Sequence, residues 1–139
     1  MTDSAQAQAM PAVEVKGGVV AYLCVEGAAK AAEFYARAFG ATVAAQYPPD
    51  ENGRTMHIHL YVNGSSLMLS DPFPEHGAPY QPLQGATLML PATDIEKQFK
   101  RAIDAGAVAK MEPQKMFWGD TYGEFVDPFG VSWSMNQQA

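Results

Sequence analysis

The sequence predicts an α+β fold in which two βαβββ modules form a cupped mixed sheet around a cleft, with the helices on the outer face. Two observations support this prediction. Gly40 and Gly106 each end a helix-like pattern, and they lie 66 residues apart. Gly64 and Gly130 stand in two turns with the same separation. Because self-similarity at a fixed distance indicates repeated units, and two copies are too few for a solenoid, we expect two paired modules.

The 139 residues are the usual size of one domain. We expect a disordered N-terminal tail at residues 1–15 and a single domain at residues 16–139. Within this domain, module one takes residues 18–71 and module two takes residues 85–137. The linker at 72–84 contains four prolines, and proline cannot donate a hydrogen bond inside a sheet.

Module one begins with an apolar run of strand length and continues with a helical pattern of Ala, Phe and Tyr that stops at glycine. Its last two segments flank Asn63-Gly64. Asn-Gly between alternating segments is a strong hairpin signal, because both turn residues tolerate positive φ. The predicted elements are a strand at 19–25, a helix at 27–39 and strands at 42–47, 55–62 and 65–70.

Module two repeats this order. An apolar strand is followed by a helical pattern for which Asp94 is the expected N-cap, because its carboxylate can accept a hydrogen bond from the first turn. Another strand comes next, and the last two strands flank the turn that contains Gly130. The predicted elements are a strand at 85–92, a helix at 94–105 and strands at 107–112, 122–126 and 131–136.

The composition limits the classes of partner. Nine basic and fifteen acidic side chains give a formal charge of −6 without a Lys/Arg stripe, so we expect no nucleic-acid partner. Cys24 is the single cysteine, which excludes a disulfide within the chain and fits a reducing compartment. No apolar run reaches the roughly 18 residues of a membrane span. Residues 1–15 lack a secretion signal. We therefore expect a cytoplasmic protein with no membrane partner.

The register of the first hairpin predicts which side chains share a face. If the Asn-Gly turn has two residues, the apolar residues of both strands pair on one face, which we expect to lie under the helices. The opposite face pairs His59 with Met68 and His57 with Ser70. That face therefore carries two imidazoles.

The second hairpin is expected to behave alike, with Val126 paired to Trp133 on the helix side and Phe125 paired to Ser134 on the other.

A largely apolar lining with a few polar groups is typical of small-molecule pockets. The predicted helix-free face has this mixture, and its members are Val20, Tyr22, Cys24, His57, His59, Met68, Ser70, Thr87, Met89, Phe125 and Ser134.

Several motifs in this framework resemble those of a known family. They are Ala32-Glu33-Phe34-Tyr35, Phe39-Gly40-Ala41, Met56-His57, Leu67-Met68-Leu69-Ser70-Asp71, Phe117-Trp118-Gly119-Asp120-Thr121-Tyr122-Gly123, and Asp127-Pro128-Phe129-Gly130 with Trp133. The chain resembles the vicinal oxygen chelate superfamily of glyoxalase, bleomycin-resistance and extradiol-dioxygenase proteins. Within it, the chain is most similar to PhnB-like proteins, also called 3-demethylubiquinone-methyltransferase-like.

The resemblance implies a homodimer and, in metal-using members, four ligand positions. Carried onto this sequence, those positions fall near Val20, Met68, Thr87 and Ser134. None of the four is histidine or a carboxylate, and divalent metals need such donors or a thiolate. We therefore expect no metal site and no cofactor.

His57 and His59 stand at i and i+2 on one strand face, and three interpretations remain open. The spacing suits zinc chelation, for which only Cys24 offers a third donor on that face. An ordinary imidazole titrates at about pH 6.5, which suits hydrogen bonding or proton transfer to a ligand. The third interpretation is that both imidazoles are ordinary hydrogen-bonded polar residues in a solvated cleft or in a dimer interface. We take His57 and His59 as the candidate catalytic residues.

The segment from Trp118 to Gly123 puts two large aromatic residues and an acid beside two glycines. Glycine allows close backbone approach, and Trp and Tyr supply flat apolar area with one polar group. The segment is either a wall or lid over the cleft or a turn with its aromatic residues packed inward. The candidate ligand-binding residues are Tyr22, His57, His59, Met68, Ser70, Thr87, Met89, Trp118, Asp120, Tyr122, Phe125 and Ser134.

Two hypotheses on function follow. The first is a small-molecule-binding protein of the glyoxalase/bleomycin resistance type that lacks the superfamily metal site, and the lack of donors at the four ligand positions favours it. The second is a metal-independent or unusual-metal enzyme of the isomerase or lyase type, with His57 or His59 as acid/base. Two titratable imidazoles on one face favour this alternative. We favour the binding protein, with an unidentified small-molecule ligand.

Overall fold

The computed structural model describes residues 13–139. Of the expected tail at 1–15, residues 1–12 lie outside this range. The elements alternate as the sequence predicts, with small shifts at their ends. In chain order they are β1 (Ala21–Cys24), α1 (Ala28–Phe39), β2 (Thr42–Gln46), β3 (Ile58–Val62), β4 (Ser65–Ser70), β5 (Leu88–Pro91), α2 (Ile95–Ala105), β6 (Val108–Lys115), β7 (Thr121–Val126) and β8 (Ser132–Gln137).

The eight strands form two four-stranded sheets with the same topology. Their orders are β1-β4-β3-β2 and β5-β8-β7-β6. In each sheet the first strand runs parallel to the last strand of its module, and the other pairings are antiparallel. The prediction of an α+β fold with two βαβββ modules is confirmed. The cup is made of two open sheets, neither of which closes into a barrel.

The helices begin and end where the sequence indicates. The Asp94 carboxylate accepts a hydrogen bond from the Lys97 N–H at the start of α2. Gly40 and Gly106 follow the last residues of α1 and α2 with φ of 74° and 130°, in the region that favours glycine. The start of α1 is capped from a distance, because one oxygen of Asp71 accepts hydrogen bonds from the N–H groups of Gly27 and Ala28.

One continuous core joins the two modules. Each helix covers one face of its own sheet, α1 over β3 and β4 and α2 over β6, β7 and β8, and the two helices pack against each other. Aromatic side chains of α1 also reach the second sheet, where the Phe39 ring lies 4.7 Å from that of Trp133 and 5.9 Å from that of Phe125. The opposite face of each sheet carries no helix from residues 13–139.

The predicted register of the first hairpin is confirmed. Val62 pairs with Ser65, Leu60 with Leu67, and His59 with Met68. Asn63 has φ of 53°, as a two-residue Asn-Gly turn requires. The pair of His57 with Ser70 lies just beyond the ladder, because β3 begins at Ile58.

The predicted register of the second hairpin is wrong by one residue. Phe125 pairs with Trp133 and Val126 with Ser132. The turn holds three residues instead of two, with Gly130 at φ of 84° and the Asp127 N–H donating to the Val131 carbonyl. The extra residue moves every β7 side chain to the other face.

The linker between the modules is ordered by a short 3-10 turn at Pro74–His76 and by a bridge between Phe73 and Ala78. The Phe73 ring is buried, and the Arg54 guanidinium lies 4.3 Å above it. Arg54 also forms an ion pair with Glu75. Among residues 13–139, no helix is long and apolar enough to cross a membrane.

Candidate functional site

We use the term open face for the side of both sheets that points away from the helices. Strand alternation assigns its members, because Leu23, Leu60 and Leu67 are buried on the helix side and their neighbours along each strand point the other way. The open face has a half on each sheet. Its central members are Tyr22, His57, His59, Met68 and Ser70 on the first sheet and Met89, Tyr122, Glu124 and Ser134 on the second.

The first half is organised by a cross-strand row in which Met68 lies between Tyr22 and His59. The Tyr22 hydroxyl reaches along this face to His57, where its Oη lies 2.8 Å from Nδ1. Tyr22 is 54% exposed, so this hydrogen bond is made at the surface of the cup. The Tyr47 ring packs edge-on against His57, with 5.6 Å between the ring centroids.

The Tyr22–His57 pair is uncharged at neutral pH. Burial lowers the pKa of His57 below its ordinary value, and the neighbouring His59 lowers it further. Burial also raises the pKa of Tyr22, with a smaller contribution from Tyr47. The pair therefore presents neutral hydrogen-bonding groups to the cup.

His59 is in a different environment from His57, although both side chains are on the open face. It is buried, and its Nε2 lies 2.6 Å from Ser66 Oγ. The N-terminal segment at residues 14–16 lies against this site, because Lys16 exchanges hydrogen bonds with Ser66 and the Tyr61 hydroxyl donates to the Glu14 carbonyl. His57 is thus the more accessible of the two imidazoles.

The second half contains a carboxylate that the sequence analysis missed. Ser134 is 2% exposed and pairs with Met89 on one side and Glu124 on the other. The Tyr122 hydroxyl donates to Glu124 Oε2 at 2.9 Å. Burial is the main cause that raises the pKa of Tyr122. The Trp118 ring packs edge-on against Tyr122, with 5.8 Å between centroids.

The two modules place polar groups at equivalent positions of the open face. His59 is paired with Met68 in the first sheet, and Glu124 with Ser134 in the second. His57 and Tyr122 precede them by two residues. The signal that would have revealed Glu124 is the three-residue turn, which brings Glu124 and not Phe125 to the open face.

Phe125 was wrongly predicted to line the cleft. Its side chain is fully buried on the helix side, where its ring lies 5.5 Å from that of Phe99. The physical reason is the register of β7, which turns Phe125 into the core. Sequence alternation alone could not reveal this, because an apolar residue is compatible with both faces.

The remaining predicted residues lie at the edges of the open face. Asp120 precedes β7, and its carboxylate accepts hydrogen bonds from the Asn136 side chain and the Ala139 N–H, so it holds the end of β8. The Ser70 hydroxyl donates to the Asp71 carbonyl. Thr87 is exposed just before β5.

A groove of about 330 Å³ runs between the sheets, where β1 and β5 are the edge strands that face each other. Ala21 and Ser66 line it from the first sheet, and Thr87 and Met89 line it from the second. A second groove of about 470 Å³ separates Tyr22 and Cys24 from linker residues 79–84 and Phe129. Tyr22 of the open face thus lines one groove, and Met89 lines the other.

Comparison with known proteins identifies the family. Residues 17–135 match the model of the Glyoxalase/Bleomycin resistance protein/Dioxygenase superfamily. The chain belongs to this superfamily. It is 38% identical over 133 residues to the uncharacterized protein Mb0911c of Mycobacterium bovis, a match that covers 91% of this chain and 86% of that protein.

Solved structures share the fold of this chain. The crystal structure of protein PA1353 from Pseudomonas aeruginosa has 29% identity and a TM-score of 0.71, and the match covers 86% of this chain and 96% of that one. A putative 3-demethylubiquinone-9 3-methyltransferase, PhnB protein, from Bacillus cereus has 21% identity and a TM-score of 0.67, with coverage of 87% and 99%. The predicted similarity to PhnB-like proteins is confirmed for the fold.

The residues at the four positions that the resemblance assigns to metal ligands do not fit the metal centre of metal-using superfamily members. The four corresponding positions carry the alkyl group of Val20, the thioether of Met68 and the hydroxyls of Thr87 and Ser134. Stable sites for divalent transition metals are built from imidazole, carboxylate or thiolate donors. Within residues 13–139, no three His, Cys, Asp or Glu side chains are grouped so that they could hold a metal ion.

Proposed function

We propose that this superfamily member binds a small organic molecule on the open face, between its two sheets, without the superfamily metal centre. The observation that supports this proposal is the hydrogen bond of 2.8 Å between Tyr22 and His57 on a face that combines aromatic and methionine side chains with a few polar groups. Met89 on the second sheet is 53% exposed. Small-molecule sites combine apolar walls with a few placed polar groups in this way.

The Tyr22–His57 pair suits a neutral polar group of the ligand. A hydroxyl and a neutral imidazole together offer one donor and one acceptor beyond the bond that they share. Because the pair is uncharged, moving it out of water on ligand binding costs far less than burying an ion. The ligand is then oriented by the pair, and most of its binding free energy comes from contact with the apolar walls.

A homodimer is part of this proposal. The exposed aromatic and methionine side chains of the open face leave apolar area on the surface of one chain, and contiguous apolar surface marks interaction sites. A second copy of the chain would cover this area and deepen the cup. Size-exclusion chromatography with light scattering tests the proposal, since a monomer at micromolar concentration would contradict it.

The second candidate function is an enzyme of the isomerase or lyase type, with His57 as the base. The lowered pKa of His57 favours it, because the ring is neutral near pH 7 and able to accept a proton. His59 suits this role less well than His57, because it is buried and bonded to Ser66. Under this candidate, His59 acts as a positioning residue.

Thermal-shift screening of neutral and cationic organic compounds tests the binding function. A compound that binds only the folded protein raises Tm. Tyr22→Phe and His57→Gln should each weaken binding of such a compound about tenfold, because one buried polar group of the ligand loses its partner. His76→Gln, at an exposed position in the linker, is the matched control. Compounds that bind equally to all these variants, or the lack of any stabilising compound, would refute the proposal.

Proton exchange distinguishes the enzyme from the binder. Each stabilising compound is incubated with the protein in D₂O and followed by proton NMR. Deuterium entering the compound with wild type but not with His57→Gln would support catalysis. Binding without exchange would support the binding protein.

A further inference from the structure

We infer that Glu124, Tyr122 and Trp118 form a subsite for an organic ammonium group, so that the ligand carries a positive charge at one end. This inference rests on the proposed function and names the class of ligand. It rests on three observations. The Glu124 carboxylate is in none of the ion pairs within residues 13–139, and the aromatic rings of Tyr122 and Trp118 lie on the same half of the open face. The Tyr22–His57 pair on the first half, by contrast, is neutral.

The carboxylate of Glu124 has a single neutral partner. Oε2 accepts the hydrogen bond from Tyr122, and none of the three ion pairs within residues 13–139 includes Glu124. The side chain is half-buried in the middle of β7, where it pairs with the buried Ser134. A carboxylate in a partly dehydrated site interacts more strongly with a cation than one in open water does.

The aromatic residues beside Glu124 add surface that attracts a cation. Trp118 is 47% exposed, and its ring makes an angle of 69° with that of Tyr122. Phe117 is 96% exposed and packs edge-on against Trp118, at 5.0 Å between centroids. Rings set at steep angles to one another present more than one face to a bound group. The negative faces of Trp and Tyr attract ammonium groups, and each such contact contributes about 0.5–2 kcal/mol.

The chemistry of this subsite favours an organic cation over a metal ion. Magnesium and calcium require several oxygen ligands at once, whereas this surface combines one carboxylate with apolar rings. An alkylated ammonium is large and weakly hydrated, so it can contact the rings and the carboxylate together. The net charge of −6 adds a long-range attraction for cations.

The two halves of the open face differ in the ligand groups that they suit. Tyr22 and His57 are a neutral pair and suit a hydroxyl or carbonyl group. Glu124 and its aromatic neighbours suit the ammonium group. The ligand class of the Glu124 subsite is therefore an amine or a quaternary ammonium compound.

The test uses choline and its uncharged isostere 3,3-dimethylbutan-1-ol, which have the same shape but differ in charge. Binding is followed by NMR shifts of the protein. We expect saturable binding of choline at least tenfold tighter than that of the alcohol. Glu124→Gln should bring the two affinities close to each other, and Trp118→Leu should lower the affinity for choline. Glu33→Gln removes the same charge from an exposed position on α1 and should leave the preference unchanged.

Each result bears on the inference. Failure of choline to bind, equal affinity for the two probes, or a preference that survives Glu124→Gln would overturn it. Trp118→Leu changes an exposed side chain, so it reports on the subsite even if Glu124→Gln lowers stability. If neutral compounds still bind through Tyr22 and His57, only the ammonium subsite fails. If choline binds but Tyr22→Phe and His57→Gln have no effect on any ligand, the subsite holds and the proposed role of that pair fails.

Discussion

Tyr35 of module one donates a hydrogen bond of 2.5 Å to Asp127 of module two, and both residues are buried. The other Asp127 contacts come from its own hairpin: Trp133 Nε1 donates to the same oxygen, and the N–H groups of Phe129 and Val131 donate to the other. The carboxylate is therefore fully hydrogen-bonded despite its burial. Through it, helix α1 is joined to the turn that sets the register of β7 and β8.

Tyr35→Phe should destabilise the protein by about 1–3 kcal/mol, because the buried Asp127 carboxylate loses a donor that no water replaces. Urea unfolding followed by circular dichroism measures this loss. Tyr61→Phe is the matched control, since its hydroxyl bonds to the Glu14 carbonyl near the surface. Equal effects of the two substitutions would show that the contact between the modules contributes little to stability.

Substitutions in β7 test the register of the second hairpin. Phe125→Ala should cost about 3–5 kcal/mol, because it removes a fully buried ring from the core. Val126→Ala should cost much less, because this side chain is half-buried on the open face. Guanidinium unfolding curves of both variants provide the comparison. The reverse order of the two losses would indicate the register with a two-residue turn.

The pH dependence of stability should show the lowered pKa of His57. A group whose pKa is lower in the folded than in the unfolded state favours folding in its neutral form. The unfolded chain then binds more protons between the two pKa values. Stability therefore falls as the pH drops below the ordinary histidine value of about 6.5.

NMR titration of the His57 ring measures this effect directly, and the midpoint should lie below that of a free histidine side chain. His57→Gln should flatten the stability profile in the same pH range. A midpoint at or above the ordinary value would mean that the ring is more hydrated than its position beside Tyr22 and Tyr47 indicates.

The two hairpins show why one register could be predicted and the other could not. Asn63-Gly64 determines a two-residue turn from local conformational preference alone, and its strands pair as predicted. The turn at Pro128-Phe129-Gly130 depends on Asp127, whose side chain is fixed by Tyr35 and Trp133. Tyr35 is 92 residues away in the sequence, so the local pattern alone could not reveal this turn.

The candidate site shows the same division. Alternation along β3 was sufficient to place His57 and His59 on the helix-free face. It could not show that His57 meets Tyr22 or that His59 is bonded to Ser66 beside residues 14–16. Those contacts join strands and segments that only the tertiary structure brings together.

The sequence by itself determined the two repeated modules, the C-terminal ends of both helices and the first hairpin, because local residues such as Gly40, Gly106 and Asn63-Gly64 specify them. The tertiary structure decided which side chains of β7 point to each face of the sheet. It thereby decided the burial of Phe125 and the position of Glu124 on the open face. A strand alternates its side chains strictly. One extra turn residue, held by a contact from the other module, therefore reverses which side chains of β7 lie on the open face.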